Sequence, residues 1–222
     1  MTAAAVNTIE IAIHGRGGQA AITTGNILTY ALFLEGMSPH GQPRFTPDRM
    51  GAPVSYAIRF NKDRTPIWDR SWIRKPQIVL LFDLTLIDNI GVNEVWEKGI
   101  EMIANIPQKA SIPARSFDAQ LALVDLPKLL EKLLDFKLYA VDANRIAQEC
   151  GLMKGCVPIL SSAMAGAFAK ATGLVSLQSV ESAMKALAKG ALERYLPANI
   201  EALRRGYEEV RRVSNFIGEM TS

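Results

Sequence analysis

Cysteine and histidine are nearly missing from this chain, with two of each in 222 residues. Two thiols make no disulfide framework. Cys150 and Cys156 stand in C-x5-C spacing. That is not the C-x2-C-x2-C-x3-C pattern of an iron–sulfur ligand run, and two thiolates cannot hold a cubane. The histidines, His14 and His40, lie far from both, so a zinc site is not expected. Aromatic residues make up 7% of the chain and no Lys/Arg run stands out, so no stacking platform or basic stripe calls for nucleic acid. The formal charge is only +3.

No apolar run reaches the roughly 18 residues a membrane span needs. The richest stretch, Ile159 to Val175, is interrupted by Ser161, Ser162 and Lys170 and reads as a packed helix. Met1 to Asn7 holds no basic segment followed by an apolar one, so no signal peptide is expected and the expected location is the cytoplasm. No Ser–His–Asp or paired-carboxylate arrangement assembles from the pattern. No catalytic or metal-binding residue is therefore assigned to this chain.

What is present is a 49% hydrophobic composition, enough for a substantial core in one domain over residues 1–222. Thr8 to Ile13 alternates Ile9, Ile11 and Ile13 with Glu10 and Ala12, the period of a strand. Gly15 to Gly18 follows, then a helix from Gln19 to Leu34 with Gly36 as its stop. Ser38 to Pro53 is dense in Gly and Pro, which forbids a regular helix or a central strand, and is read as a loop. Val54 to Phe60 is a strand, with Thr65–Trp68 as a hairpin partner. Ile78 to Phe82 is a continuous apolar run ending in Asp83, the signature of a buried parallel strand. Ile100–Ala104 and Lys137–Asp142 complete the strands, with an amphipathic helix at Leu121–Leu134, and helices are expected over 143–150, 159–171, 177–189 and 199–218. The alternation predicts an α/β fold, a mostly parallel sheet flanked by helices, with a helical C-terminal third.

Two segments carry chemistry. A strand that ends in a Gly-rich loop opening a helix makes an anion site, because the glycines allow close backbone approach and the helix N-terminus offers free N–H groups. Arg16, Gly17, Gly18 and Gln19 are the candidates there, with tight strand–helix packing as the equal alternative. Gly15 to Ala20 also matches G-x-G-x-x-A, the relaxed dinucleotide fingerprint. The acidic ribose ligand expected roughly 20 residues on would fall between Glu35 and His40, where a helix runs directly into a loop. NAD or flavin binding is thus the weaker alternative. The second segment, Gln42 to Val54, presents Arg44 and Arg49 from a Pro-stiffened loop, suited to a phosphate or carboxylate or simply solvated. The helix Ser161 to Gly173 is dominated by small residues, which suits close packing inside the fold.

In this order the pieces resemble the gamma subunit of the pyruvate/2-oxoacid:ferredoxin oxidoreductase family. His14–Gly15–Arg16–Gly17–Gly18–Gln19 is similar to the family's G-R-G-G-Q-G, and Arg49–Met50–Gly51–Ala52–Pro53–Val54 to its R-R-G-A-P-V. The strands ending at Asp83 and at Asp142, the helix from Ser162 to Val175 and the segment Asn199 to Glu208 continue the match over nearly the whole chain. Ala20 stands where the family usually has Gly, Met50 where it often has Arg, and Ser161–Ser162 where Asn is common. Residues 107–120 look like an insertion. The resemblance implies a subunit of a complex that decarboxylates a 2-oxoacid on thiamine diphosphate with Mg2+ and passes electrons through 4Fe-4S clusters, the acyl group going to coenzyme A. It implies that the thiamine and cluster sites lie on alpha, beta and ferredoxin-like delta subunits. It also implies that Arg16, Gly17, Gly18, Gln19 and Arg49 face the coenzyme A channel. No cofactor is expected on this chain alone, and no nucleic acid or membrane partner.

Overall fold

A computed structural model describes residues 7–44, 51–87, 95–107, 133 and 135–213. The helix expected over Leu121–Leu134 and the insertion at 107–120 lie almost wholly outside them. The described strands form a seven-stranded sheet and a small hairpin. In chain order they are β1 (Thr8–Arg16), β2 (His40–Arg44), β3 (Pro53–Asn61), β4 (Ile78–Leu81), β5 (Glu101–Asn105), β6 (Lys137–Val141), β7 (Met153–Lys154), β8 (Val157–Pro158) and β9 (Arg211–Arg212). The large sheet runs β2-β3-β1-β4-β5-β6-β9. Its centre, β1, β4, β5 and β6, is parallel. β2 and β3 extend it antiparallel on one side and β9 on the other.

Side-chain alternation explains both faces. Ile11 and Ile13 of β1, Ile58 and Phe60 of β3, and Ile78 and Leu80 of β4 share one apolar cluster with the helices. Ala12, Val79, Leu81, Met102 and Leu138 join Leu84, Leu86 and Leu133 in a second cluster on the opposite face. Residues 78–81 are therefore buried on both sides, which is why they read as an unbroken apolar run.

The helices are α1 (Ala21–Leu34), α2 (Ala143–Glu149), α3 (Ser161–Thr172), α4 (Leu177–Leu187) and α5 (Leu196–Glu209). The small-residue helix α3 packs inside the fold, buried from Ser161 to Ala169. α5 crosses it with no room for side chains. A Cβ built on Gly166 would lie 2.0 Å from the Leu203 carbonyl oxygen, and one on Gly206 2.0 Å from that of Ala163. Arg145 of α2 and Arg205 of α5 share the carboxylates of Glu149 and Glu209, fastening the outer helices together.

Four expectations are corrected. The Gly- and Pro-rich stretch contains a strand, β2, at the sheet edge, the one place where Pro43 costs no ladder hydrogen bond. Thr65–Trp68 is not a hairpin partner for β3, whose edges are already taken by β1 and β2. The last helix begins at Leu196, not Asn199. It ends at Glu209, where the chain turns extended and Arg211–Arg212 adds to the edge beside β6.

Candidate functional site

β1 and β4 are parallel neighbours, but the chain leaves β1 through α1 toward β2 and β3 before returning to β4. The sheet thus changes direction at the carboxyl ends of β1 and β4, the crevice where open α/β sheets place their ligands. Both Gly15–Gly18 and Asp83 lie there.

The loop is built tightly. A Cβ on Gly15 would sit 2.9 Å from that of Ala21 and 3.1 Å from that of Phe82, so only glycine lets β1 and α1 approach this closely. Gly18 adopts φ +106°. Gln19 is buried; its Oε1 accepts from the Arg16 amide at 2.9 Å, and its own amide donates to the Arg16 carbonyl at 3.1 Å. The loop is joined to the second segment by a reciprocal pair, Gly17 N–H to the Ala52 carbonyl at 2.8 Å and Gly51 N–H to the Gly17 carbonyl at 3.0 Å. The two segments singled out in the sequence therefore do meet. Arg49 lies outside the described residues; Gly51, two positions on, is in the pair.

Arg16 is committed to the protein. Its Nε donates to Asp83 at 2.7 Å, Nη1 to the Gly51 carbonyl at 3.0 Å and Nη2 to Thr85 Oγ1 at 2.6 Å. Three of its five N–H donors are thereby used. Its charge faces a carboxylate whose side chain is 1% exposed. Asp83 also accepts from the Thr85 amide and hydroxyl, starting a short helical turn at Leu84. The strand-then-Asp pattern flagged Asp83 as a strand end but not as the partner of Arg16.

Beside this loop, on the helix side of the sheet, opens a cleft of about 790 Å³. Arg16, Gly17, Gly18 and Ala20 line it together with Ile22 and Ile27 of α1, Leu152 to Lys154 of the β7–β8 hairpin, Met184 and Leu187 of α4, and Tyr195 to Leu196 at the start of α5. Ser161, Ser162 and Asn199 add polar atoms, with the Ser162 hydroxyl bonded to Asn199 at 2.7 Å. Three helices begin here. The first turns of α1, α3 and α5 all border the cleft, and none has a side-chain cap. The starts of α1 and α3 each carry about half a positive charge and first-turn N–H groups outside the helix ladder. α5 continues from the helical turn Gly190–Tyr195, its Leu196 amide donates to the Glu193 carbonyl and Pro197 has no N–H, so it offers fewer free donors. The Leu160 amide donates to the Gln19 carbonyl, and Thr24 Oγ1 to that of Ser161, so the starts of α1 and α3 are stapled side by side. Lys154 reaches the same rim. The arrangement favours an anion at one end and an apolar chain along the walls. Sequence reading missed Lys154 and Asn199; the positive-φ glycines Gly151 and Gly155 around a two-residue turn were the available signal for the hairpin.

The position of Glu35 removes the ribose ligand of a dinucleotide site. It follows the far end of α1, a 14-residue helix about 21 Å long, away from the Gly loop. Its carboxylate accepts from the Ser176 amide at 2.8 Å, a bond that holds it below the usual carboxylate range. The cysteines are free thiols, Cys150 half-buried at the end of α2 and Cys156 exposed at the hairpin turn. Among the described residues no group of three or more His, Cys, Asp and Glu could hold a metal, and no helix is long and apolar enough to cross a membrane.

Residues 10–209 match the model of the family described as pyruvate ferredoxin/flavodoxin oxidoreductase. The chain is a gamma subunit of this family. It is 37% identical over 203 residues to the common gamma subunit of the pyruvate/ketoisovalerate oxidoreductases of Pyrococcus furiosus, covering 90% of this chain and 96% of that one. The pyruvate oxidoreductase subunit PORC of Thermotoga maritima superposes with a TM-score of 0.68 at 26% identity, over 94% of this chain and 99% of that one. The fold recurs in the 2-oxoglutarate:ferredoxin oxidoreductase of Magnetococcus marinus, solved with 2-oxoglutarate, coenzyme A and succinyl-CoA bound. There the TM-score is 0.61 at 16% identity, over 91% of this chain and 31% of that longer one.

Family membership gives Ala20 a meaning. This gamma subunit holds Ala20 at φ 64°, ψ 31°, the left-handed region, at the position where the family resemblance expects glycine. A left-handed alanine costs about 1–2 kcal/mol, and glycine returns part of that as unfolded-state entropy. Ala20→Gly is therefore expected to stabilise the chain by about 0.5–1 kcal/mol, raising its thermal midpoint by about 2–3 °C in scanning calorimetry. An unchanged or lower midpoint would contradict the strain.

Proposed function

We propose that this chain is the gamma part of a complex that oxidatively decarboxylates a 2-oxoacid to an acyl-CoA and passes the electrons to ferredoxin or another acceptor, and that its own share is to enclose coenzyme A. The observation that carries the second half is the convergence of the uncapped starts of α1 and α3, the Gly loop and Lys154 on one mostly apolar cleft. Coenzyme A has the matching chemistry, with phosphates for the N–H groups and cations and a long pantetheine arm for the apolar wall. In this reading Gly17 and Gly18 offer backbone to a phosphate, and Arg16 has two N–H donors left for it. Gln19 holds the turn, and Arg49, two residues before the Gly51 that pairs with Gly17, is assigned to the same ligand.

The donor set does not fit the other cofactors. Two cysteines cannot ligate a 4Fe-4S cluster, and no carboxylate group suited to a thiamine diphosphate-bound Mg2+ gathers among the described residues. These belong, in this proposal, to alpha, beta and ferredoxin-like delta partners, with decarboxylation and electron transfer away from this chain in the cytoplasm. The Pyrococcus furiosus relative, common to pyruvate and ketoisovalerate oxidoreductases, makes pyruvate and ketoisovalerate the first substrates to assay. The test is Lys154→Ala in the intact complex. The apparent KM for coenzyme A should rise about fivefold with kcat kept, the effect of one partly screened charge on a phosphate. An unchanged KM in a fully assembled complex would refute the cleft as the coenzyme A site.

A further inference from the structure

Between β3 and β4 the chain runs as a strap, residues 62–77, with no regular structure. It leaves the sheet where Asn61 pairs with Thr8 and re-enters where Ile78 pairs with Ile11. That is the end of the sheet opposite the Gly loop and the cleft. Three features set the strap apart from the rest of the surface.

The first is charge. The strap holds Lys62, Arg64, Arg70, Arg74 and Lys75 against Asp63 and Asp69, so five cations less two carboxylates leave a net +3, the formal charge of the entire chain. Both carboxylates already have partners. Asp63 accepts from the Thr65 amide and hydroxyl, and Asp69 accepts from the Ser71 amide and pairs with Arg59. Lys75 pairs with Glu97, while Lys62, Arg64, Arg70 and Arg74 have no ion-pair partner among the described residues.

The second is Trp68, 87% exposed at the middle of the strap. Val95, 56% exposed, is tied to the later part of the strap, its amide bonded to the Arg74 carbonyl. Burying a large aromatic side chain is among the larger gains available to a small domain. This chain leaves its indole in water while packing the neighbouring Ile73 to 2% exposure.

The third is rigidity. Arg59, 6% exposed, donates to the Asp69 carbonyl at 2.7 Å and to Glu10 at 2.7 Å. On the other side of Trp68, Asn61 Nδ2 donates to Thr65 Oγ1 at 2.9 Å. The indole is thus presented on a loop stapled at both sides, so little entropy remains to be lost on docking.

We propose that the 62–75 strap is the docking surface for an acidic face of a sister subunit in the oxidoreductase complex, with Trp68 seated in an apolar pocket of that subunit and the unpaired cations of the strap steering it. The proposal rests on this chain's membership in a multi-subunit family and is independent of the coenzyme A reading, since the strap and the cleft occupy opposite ends of the sheet. A central, rigid tryptophan in a segment of net positive charge is how interface hot spots and electrostatic steering are built. An acidic protein is favoured over nucleic acid because the strap offers one exposed indole, its second, Trp72, being half-buried with the Arg44 guanidinium over its ring.

The test compares the isolated full chain with the purified complex. Oxidative footprinting read by mass spectrometry should modify Trp68 in the isolated chain and spare it in the complex. A zero-length carbodiimide, which joins an amine to a carboxylate, should link Lys62 to an Asp or Glu of a sister chain. Trp68→Ala should raise the dissociation constant for that sister chain about 30-fold or more. The double variant Arg70→Glu/Arg74→Glu should slow association and abolish its salt dependence. Both variants should keep the isolated chain's thermal midpoint, because these side chains contact no core. Equal modification of Trp68 in the complex, or crosslinks only to a second copy of this chain, would overturn the proposal, as would recovery of nucleic acid instead of a sister chain. If Lys154→Ala leaves the KM unchanged while Trp68 is protected, the cleft reading fails and this one stands.

Discussion

Gly206→Ala is expected to lower the thermal midpoint of this chain by about 6–12 °C, corresponding to a loss of about 3 kcal/mol. The sign is the informative part. In an open helix the same substitution gains about 1 kcal/mol, since alanine is the better helix former. Here the new methyl carbon would lie 2.0 Å from the Ala163 carbonyl oxygen and 2.7 Å from its carbonyl carbon. These are backbone atoms of the next helix, which cannot swing aside as a side-chain tip can. To admit the methyl, α5 must move off α3, and the apolar contacts of Ala163, Ala167, Ala202 and Leu203 open with it. Gly166→Ala should behave alike, its methyl meeting the Leu203 carbonyl oxygen. Thermal and urea unfolding of the single variants decide the matter. A rise in stability in either would mean that the two helices are not held in van der Waals contact at these glycines.

Asp83→Ala should cost about 3–5 kcal/mol, a midpoint drop of roughly 10 °C or more. The carboxylate is almost wholly enclosed and serves three donors, Arg16 Nε, the Thr85 amide and the Thr85 hydroxyl. Removing it strands a guanidinium that is itself only 17% exposed. A buried pair adds little over apolar packing while intact, yet leaves a costly uncompensated charge when one partner goes. Asp83→Asn keeps the shape and an acceptor oxygen and should fall between wild type and Ala. The loss should also loosen the Gly loop, because the same guanidinium grips the Gly51 carbonyl. Hydrogen exchange at the Gly17 and Gly51 amides, normally bonded across the two segments, would report that directly. A change below about 1 kcal/mol would show that water replaces the carboxylate without penalty and that Arg16 is effectively solvated.

Much of the frame was legible residue by residue. Period-two alternation at Ile9, Ile11 and Ile13 located β1, and the unbroken run at Ile78–Leu81 located a strand buried on both faces. Glycine spacing at the end of β1 marked a close approach and a tight turn, and the structure has Gly15 as the strand residue packed against α1 and Gly18 at positive φ in the turn. These are local effects, carried by the torsions and side chains of consecutive residues, so a linear reading reaches them.

Pairings between distant residues lay beyond that reach. β2 became a strand because β3 had a free edge, against the propensity of a segment containing Gly41 and Pro43. Arg16 looked available for a ligand until a carboxylate 67 residues away was found against it. The cleft is assembled from the start of α1, a hairpin at 153–158 and the ends of helices beyond residue 160, none of which signals the others in the chain. Periodicity and punctuation therefore established the sheet, its buried centre and the Gly-rich turn. Packing of one face against another established which charges were already spent, which helix starts converged and which tryptophan was left in water. The physical reason is that alternation records how a residue sits on its own strand or helix, whereas partnership depends on which faces meet once the core closes.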